Sequence, residues 1–130
     1  MIPHDIREAL NSALEIDLEA DPTLDQIREA FPQLASFDKG GVTVGRFSGR
    51  TPWERHVDSD ESLRVLDGEV EITLLTKADS VHVTVSAGSI FVVPRGLWHR
   101  QVPRPVATVL SLIPTEHGPV SFADDPRIEA

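Results

Sequence analysis

The spacing of apolar residues along the chain changes near residue 40. Before that point Ile6, Leu10, Ala13, Leu14 and Leu18 recur at steps of three and four, which predicts an amphipathic helix. Asp21-Pro22 interrupts it, because proline cannot continue a helix and biases its predecessor toward extended backbone. Thr23 and Gln26 stand at capping-box spacing and predict a second, short helix through Leu24, Ile27 and Ala30, closed by Phe31-Pro32. From Gly40 the period is two. Val42–Val44 and Val81–Val85 alternate strictly, as half-buried strands do. Leu63–Leu66 and Val70–Leu75 flank Asp67-Gly68, a dipeptide that predicts a type I′ hairpin turn. Ser89–Val93 and Val106–Ile113 are further β-rich runs, bounded by Gly88, Pro94, Pro105 and Pro114. About eight short strands with no helix between them predict an all-β antiparallel sandwich or barrel. The pattern thus divides the chain into a helical segment at 1–38, a β unit at 39–114 and a surface tail at 115–130.

Composition narrows the partners. The 130 residues, 40% hydrophobic, suit one domain with a real core. Cysteine is absent, so disulfides, thiolate metal sites and cysteine nucleophiles are excluded together. The net charge of −9 argues against nucleic acid or an anionic membrane as partner. Most of it, six of the nine charges, falls within residues 1–31, as a solvated helix face or a docking surface for a basic partner. With neither a basic-led apolar start nor a run of eighteen apolar residues, no signal peptide or spanning helix is expected, and a cytoplasmic location is.

Two segments carry candidate chemistry, 54–68 and 88–99. In an extended strand alternate residues share a face, so Glu54 and His56 point the same way, as do His99 and Gln101. Glu61 shares its face with Leu63 and Val65. Two imidazoles and two carboxylates converging inside a barrel are costly to bury as free ions, and a divalent cation removes that cost. Arg46 shares strand parity with Val42 and Val44, which points it into the barrel to bind an anionic substrate or balance Glu54; an edge arginine is the other reading. Gln101 is a candidate substrate contact, and Trp53 and Trp98 are candidates to wall the pocket or an interface. His82 reads as solvated, His4 and His117 as terminal, Asp58, Asp60 and Asp67 as turn or strand-end residues, and Phe91 as core. No Ser-His-Asp triad, P-loop or dinucleotide glycine pattern is present.

Gly88, Pro94, Gly96 and His99 fit the pattern G-x5-P-x-G-x2-H, with Pro103 where a final Asn would fall. His56, Glu61 and Gly68 fit H-x4-E-x6-G, with Glu54 in place of a first histidine and Ser48 in place of an opening glycine. In these two motifs the chain resembles the cupins, small antiparallel β-barrels of jelly-roll topology. The resemblance implies a jelly-roll barrel and a divalent transition metal (Mn, Fe, Ni or Zn) held by Glu54, His56, Glu61 and His99. Glu54 in the histidine place adds charge and an oxygen donor, which favours Mn²⁺ or Fe²⁺ over copper; equally, it is compatible with a barrel that has lost its metal. The implied activity is that of an oxygenase, isomerase or lyase on a small carboxylate or sugar-type metabolite. Glu54 and Glu61 are then the proton-transfer candidates, and Arg46, Gln101 and Trp98 the substrate contacts. A non-enzymatic ligand- or metal-sensing module, with or without a metal, is the alternative. A sugar-epimerase-like reading is disfavoured by the absence of tyrosine. Open sheet edges point to a homodimer.

Overall fold

The computed structural model of the chain describes residues 1–12, 15–114 and 118–128. Two helices come first, α1 (Ile6–Ser12) and α2 (Leu24–Ala30). Around them lie β1 (Ile16–Asp17), a 3-10 turn at Leu18–Ala20 and β2 (Gln33–Phe37). The remaining strands are β3 (Gly40–Ser48), β4 (Trp53–Glu54), β5 (Glu61–Asp67), β6 (Glu69–Leu75), β7 (Ser80–Ser86), β8 (Ile90–Val93), β9 (Trp98–Pro103), β10 (Val106–Pro114) and β11 (Val120–Ser121). They form two sheets: β1-β3-β10-β5-β8, with β2 also on β3, and β11-β4-β9-β6-β7. All pairs are antiparallel except β1 with β3. The fold is the expected jelly-roll type, as two facing sheets rather than one hydrogen-bonded closed barrel. Phe47, Leu63, Val65, Val70, Ile72 and Val109 fill the space between them. No helix among the described residues is long and apolar enough to cross a membrane.

The capping box forms as spaced. The Gln26 amide donates to Thr23 Oγ1 at 3.1 Å, and the Thr23 amide donates to Gln26 Oε1 at 2.8 Å. The first helix is shorter than its stripe predicts. It ends at Ser12 and buries no residue, while Ala13 and Leu14 lie outside the described residues. Leu18 enters the core from the 3-10 turn, which Asp17 caps by accepting from the Glu19 amide at 2.9 Å. A short isolated helix is marginal in water, so strand pairing of β1 and core burial of Leu18 decide the local structure instead.

The Asp67-Gly68 hairpin does not form. β5 pairs with β10 and β8, whereas β6 pairs with β7 and β9, so this dipeptide carries the chain from one sheet to the other. A type I′ turn needs positive φ at both central residues; here Gly68 has φ +80° and Asp67 does not. A side chain at Gly68 would collide with the Val106 carbonyl, so close passage of β10 fixes the glycine. Positive φ at non-glycine residues falls instead at Asp21, which ends the 3-10 turn, and at Asp38, in the tight turn from β2 to β3, where Phe37 pairs with Gly40. The sheet thus includes β2 from Gln33, ahead of the alternating pattern, which misses it because β2 is an edge strand with little buried surface. After Pro114 the chain does more than cover the surface. β11 pairs Val120 with Glu54 and Ser121 with Trp53.

Candidate metal centre

Three elements bring the candidate ligands together. β4 pairs Glu54 with His99 of β9, and His56 follows just beyond β4. Along β9, His99, Gln101 and Pro103 stand opposite Leu74, Ile72 and Val70, all core residues, so this face points inward. Glu61 opens β5 in the facing sheet. The Pro94-Arg95-Gly96 turn is tied to the same place. The Gly96 amide donates to the His56 carbonyl at 2.7 Å, and the Arg95 amide donates to Asp60 Oδ1 at 2.9 Å. These two bonds lock the two motif segments together, one holding His56 and the other the approach to Glu61.

His56, Glu61 and His99 are buried, with 4%, 4% and 2% of their surface exposed. One ligand atom from each lies within 4.8 Å of the others. His56 Nε2 stands 3.1 Å from Glu61 Oε1, and His99 Nε2 stands 3.8 Å from the same oxygen. His99 Nδ1–H donates to the Leu97 carbonyl at 3.1 Å, an arrangement that leaves Nε2 as the metal-facing nitrogen. Burial by itself would raise the Glu61 carboxyl, but hydrogen bonding to His56 and the neighbouring His99 imidazole hold it at about 2. Burial opposes the charged form of His99 as well, yet Glu61 and then Glu54 carry it up to about 9. Glu61 Oε2 and His99 Nε2 are buried without a hydrogen-bond partner. Buried polar atoms left so are expensive. Two imidazoles and a carboxylate with free lone pairs fit a divalent transition ion, which would satisfy all of them.

Glu54 stands at the edge of this group, its Oε2 3.7 Å from His56 Nε2 and 35% of its side chain exposed. Its carboxyl is held above the ordinary range by burial and then by the charge of Glu61, against the pull of His99, His56 and the Arg28 guanidinium. Beside it opens a cavity of about 290 Å³, reached by Glu54, Glu61 and Gln101 on one side and by α2 on the other. Gln101 lines this cavity with its Oε1 buried and unpartnered.

Arg46 and Trp98 lie elsewhere. The inward face of β3 is that of Thr43, Gly45 and Phe47, so Arg46 points outward, is exposed, and donates from Nε to Thr108 Oγ1 at 3.0 Å. Parity misdirects here because β3 is buried on both sides: α1 packs against it, and Val44 is fully buried on the outer face. Trp98 precedes His99 and therefore faces the other way, under the Arg55 guanidinium at 5.3 Å from its ring. Trp53 is buried beneath Arg100, 4.1 Å from its ring, on a separate cavity of about 140 Å³. His82 is solvated as expected, 57% exposed and 3.0 Å from Thr73 Oγ1. His4 is exposed, and His117 lies outside the described residues. The contribution of α2 is not legible in the sequence pattern. Its one signal is Arg28, a basic residue in an otherwise acidic segment.

Two facing antiparallel sheets with a buried His-Glu-His cluster between them define a jelly-roll protein with a potential metal centre. Comparison with known proteins agrees with this fold: residues 43–102 match the model of the cupin domain. It is 38% identical over 78 residues to germin-like protein 1-1 of Oryza sativa subsp. japonica, a match covering 56% of this chain and 35% of that protein. The chain spans about a third of the length of the germin-like relatives it matches. Among solved structures, a cupin-2 domain containing protein from Shewanella frigidimarina is similar at TM-score 0.56 and 21% identity, over 65% of this chain and 78% of that one. A recombinant oxalate oxidase in complex with glycolate is similar at TM-score 0.52 and 28% identity, over 62% of this chain and 44% of that one.

Proposed function

We propose that the chain is a metal-dependent cupin that binds and acts on a small polar metabolite beside a divalent ion held by His56, Glu61 and His99, with Glu54 as a fourth donor. The observation that carries this reading is the buried cluster whose Glu61 Oε2 and His99 Nε2 have no other partner. When bound, the ion supplies a Lewis acid or an oxygen-activating centre. The protein supplies the rest. Glu54, raised above the ordinary carboxyl range in the metal-free chain and partly open to the cavity, is the group that exchanges a proton with a bound substrate. Gln101 offers its amide to the substrate, and α2 excludes water from one side. The reading includes a homodimer through sheet edges, since edge strand β8 exposes Ile90 and Val92. It also includes an N-terminal segment at 1–38, whose helices α1 and α2 are laid on the β unit at 39–114 and whose strands β1 and β2 join its sheet, and a cytoplasmic location.

Elemental analysis of protein purified without chelator tests the metal. About one equivalent of Mn, Fe, Ni or Zn is expected, directly or after addition of the ion. Less than about a tenth of an equivalent, not restored by any of the four, overturns the reading. A loaded protein that binds metabolites but converts none is the sensing module instead.

Metal uptake should rise with pH. In the metal-free protein His99 keeps its proton up to about 9, and the ion has to displace it. Glu61, at about 2, is already charged and adds no dependence above pH 5 or so. The apparent affinity therefore rises at least about tenfold per pH unit toward pH 9, since Glu54, also held above its ordinary range, can add a proton to the one from His99. Calorimetry at pH 7 in buffers of different ionisation heat is expected to show at least about one proton released per ion. No release would place the ion away from His99.

A further inference from the structure

We propose that Arg28 of α2 anchors the carboxylate of a small monoanionic ligand in the cavity, and that this anion binds more tightly together with the metal; the proposal rests on the metal reading above. On α2, Leu24, Ile27, Arg28 and Phe31 follow at steps of three, one and three and so share one helix face, and all four line the cavity that Glu54 and Glu61 enter. Arg28 is the one Lys or Arg among the residues that line it. Its charge reaches Glu54, lowering that carboxyl against the stronger effect of burial. Three arginines of the fold are ion-paired, Arg95 with Asp60, Arg104 with Glu71 and Arg127 with Asp125. Among the described residues Arg28 has no such ion pair.

Charge balance then selects the ligand. Without the ion, Glu54 and Glu61 on the opposite wall offset the pull of Arg28 on an anion. A divalent ion cancels those two carboxylates, and Arg28 leaves a single positive charge in surplus. A guanidinium presents paired donors that match a carboxylate. Around it Leu24, Ile27 and Phe31 offer hydrocarbon, which suits a short apolar body on the carboxylate better than a polyol. The volume, about 290 Å³, admits only a small molecule. The substrate class is thereby a small monocarboxylate rather than a sugar. Because each ligand neutralises charge that opposes the other, ion and anion bind with positive and reciprocal coupling.

The test uses the full chain loaded with Mn²⁺ and titrated by calorimetry with lactate and mandelate, each against its neutral amide. The carboxylates are expected to bind at least about tenfold more tightly than the amides, and at least about tenfold more tightly with Mn²⁺ than without. Arg28→Gln is expected to remove the carboxylate preference without weakening Mn²⁺ or amide binding, and Arg28→Lys to restore part of it. Equal carboxylate affinity in Arg28→Gln and the parent, or no carboxylate binding by the loaded parent, overturns this proposal and leaves the metal reading standing. Failure of the parent to take up Mn²⁺ or the other three ions overturns both.

Discussion

Alanine in place of His56 or His99 is expected to reduce the metal content to less than about a tenth of an equivalent while the protein still folds. Each substitution removes one of the two imidazoles from a three-residue cluster, and no other histidine stands near enough to replace it among the described residues. A carboxylate and one imidazole do not hold a divalent transition ion at ordinary concentrations. The fold survives because neither histidine belongs to the apolar cluster that fills the space between the sheets. The cost in stability is modest. His56→Ala also removes the 3.1 Å partner of Glu61 Oε1 and leaves that buried charge less satisfied, at a cost of about 1–3 kcal/mol. His99→Ala frees the Leu97 carbonyl and removes the imidazolium that Glu61 and Glu54 stabilise, so its cost at neutral pH should be at least as large. Elemental analysis beside thermal unfolding of both variants checks this. Full metal content in both would show that the ion sits elsewhere.

Phe47→Ala is expected to destabilise the protein by about 3–5 kcal/mol, because it deletes a whole ring from the packed interior. Phe47 is fully buried on the inner face of β3. Its ring meets Phe31 edge-on, with centroids 5.5 Å apart at 65°. Phe31 in turn lies so close over Gly45 that a side chain there would collide with the Phe31 ring. This stack seats α2, so its loss leaves a large void and loosens one wall of the cavity. Thermal unfolding should shift down by roughly 10–20 °C. Phe37→Ala, at a position 62% exposed, should cost less than about 1 kcal/mol. Similar losses in the two variants, measured by denaturant titration, would contradict the packing.

Much of the architecture is legible in local rules. Strict alternation marks β7, where Val85 is buried and His82 projects to solvent. The same rule aims His99 and Gln101 to one side of β9, and the structure places both on the inward face. The cap at Thr23 is readable because the bonds that make it lie three residues apart. The His56, Glu61 and His99 cluster is readable because strand parity and motif spacing agree. Its geometry around Glu54 is not, since a place at the cluster's edge depends on where β4 meets β9.

What the sequence determined by itself, then, is the set of short-range choices: strand against helix, which residues share a face, where a cap closes, and that His56, Glu61 and His99 are candidates to come together. Tertiary structure decided which surface each face meets. Asp67-Gly68 reads as a hairpin because a turn is local, yet its strands join different sheets through partners far along the chain in β10 and β9. Arg46 reads as inward because parity names two faces without saying which is inside, and β3 is covered on both. Leu18 and α2 cannot be placed from sequence for the same reason: an apolar stripe states that it needs burial, not against what. Burial is non-directional and is satisfied by whichever surface the completed sheets leave uncovered. Here that surface is the mouth of the candidate metal site, and covering it sets Arg28 opposite Glu54 and Glu61.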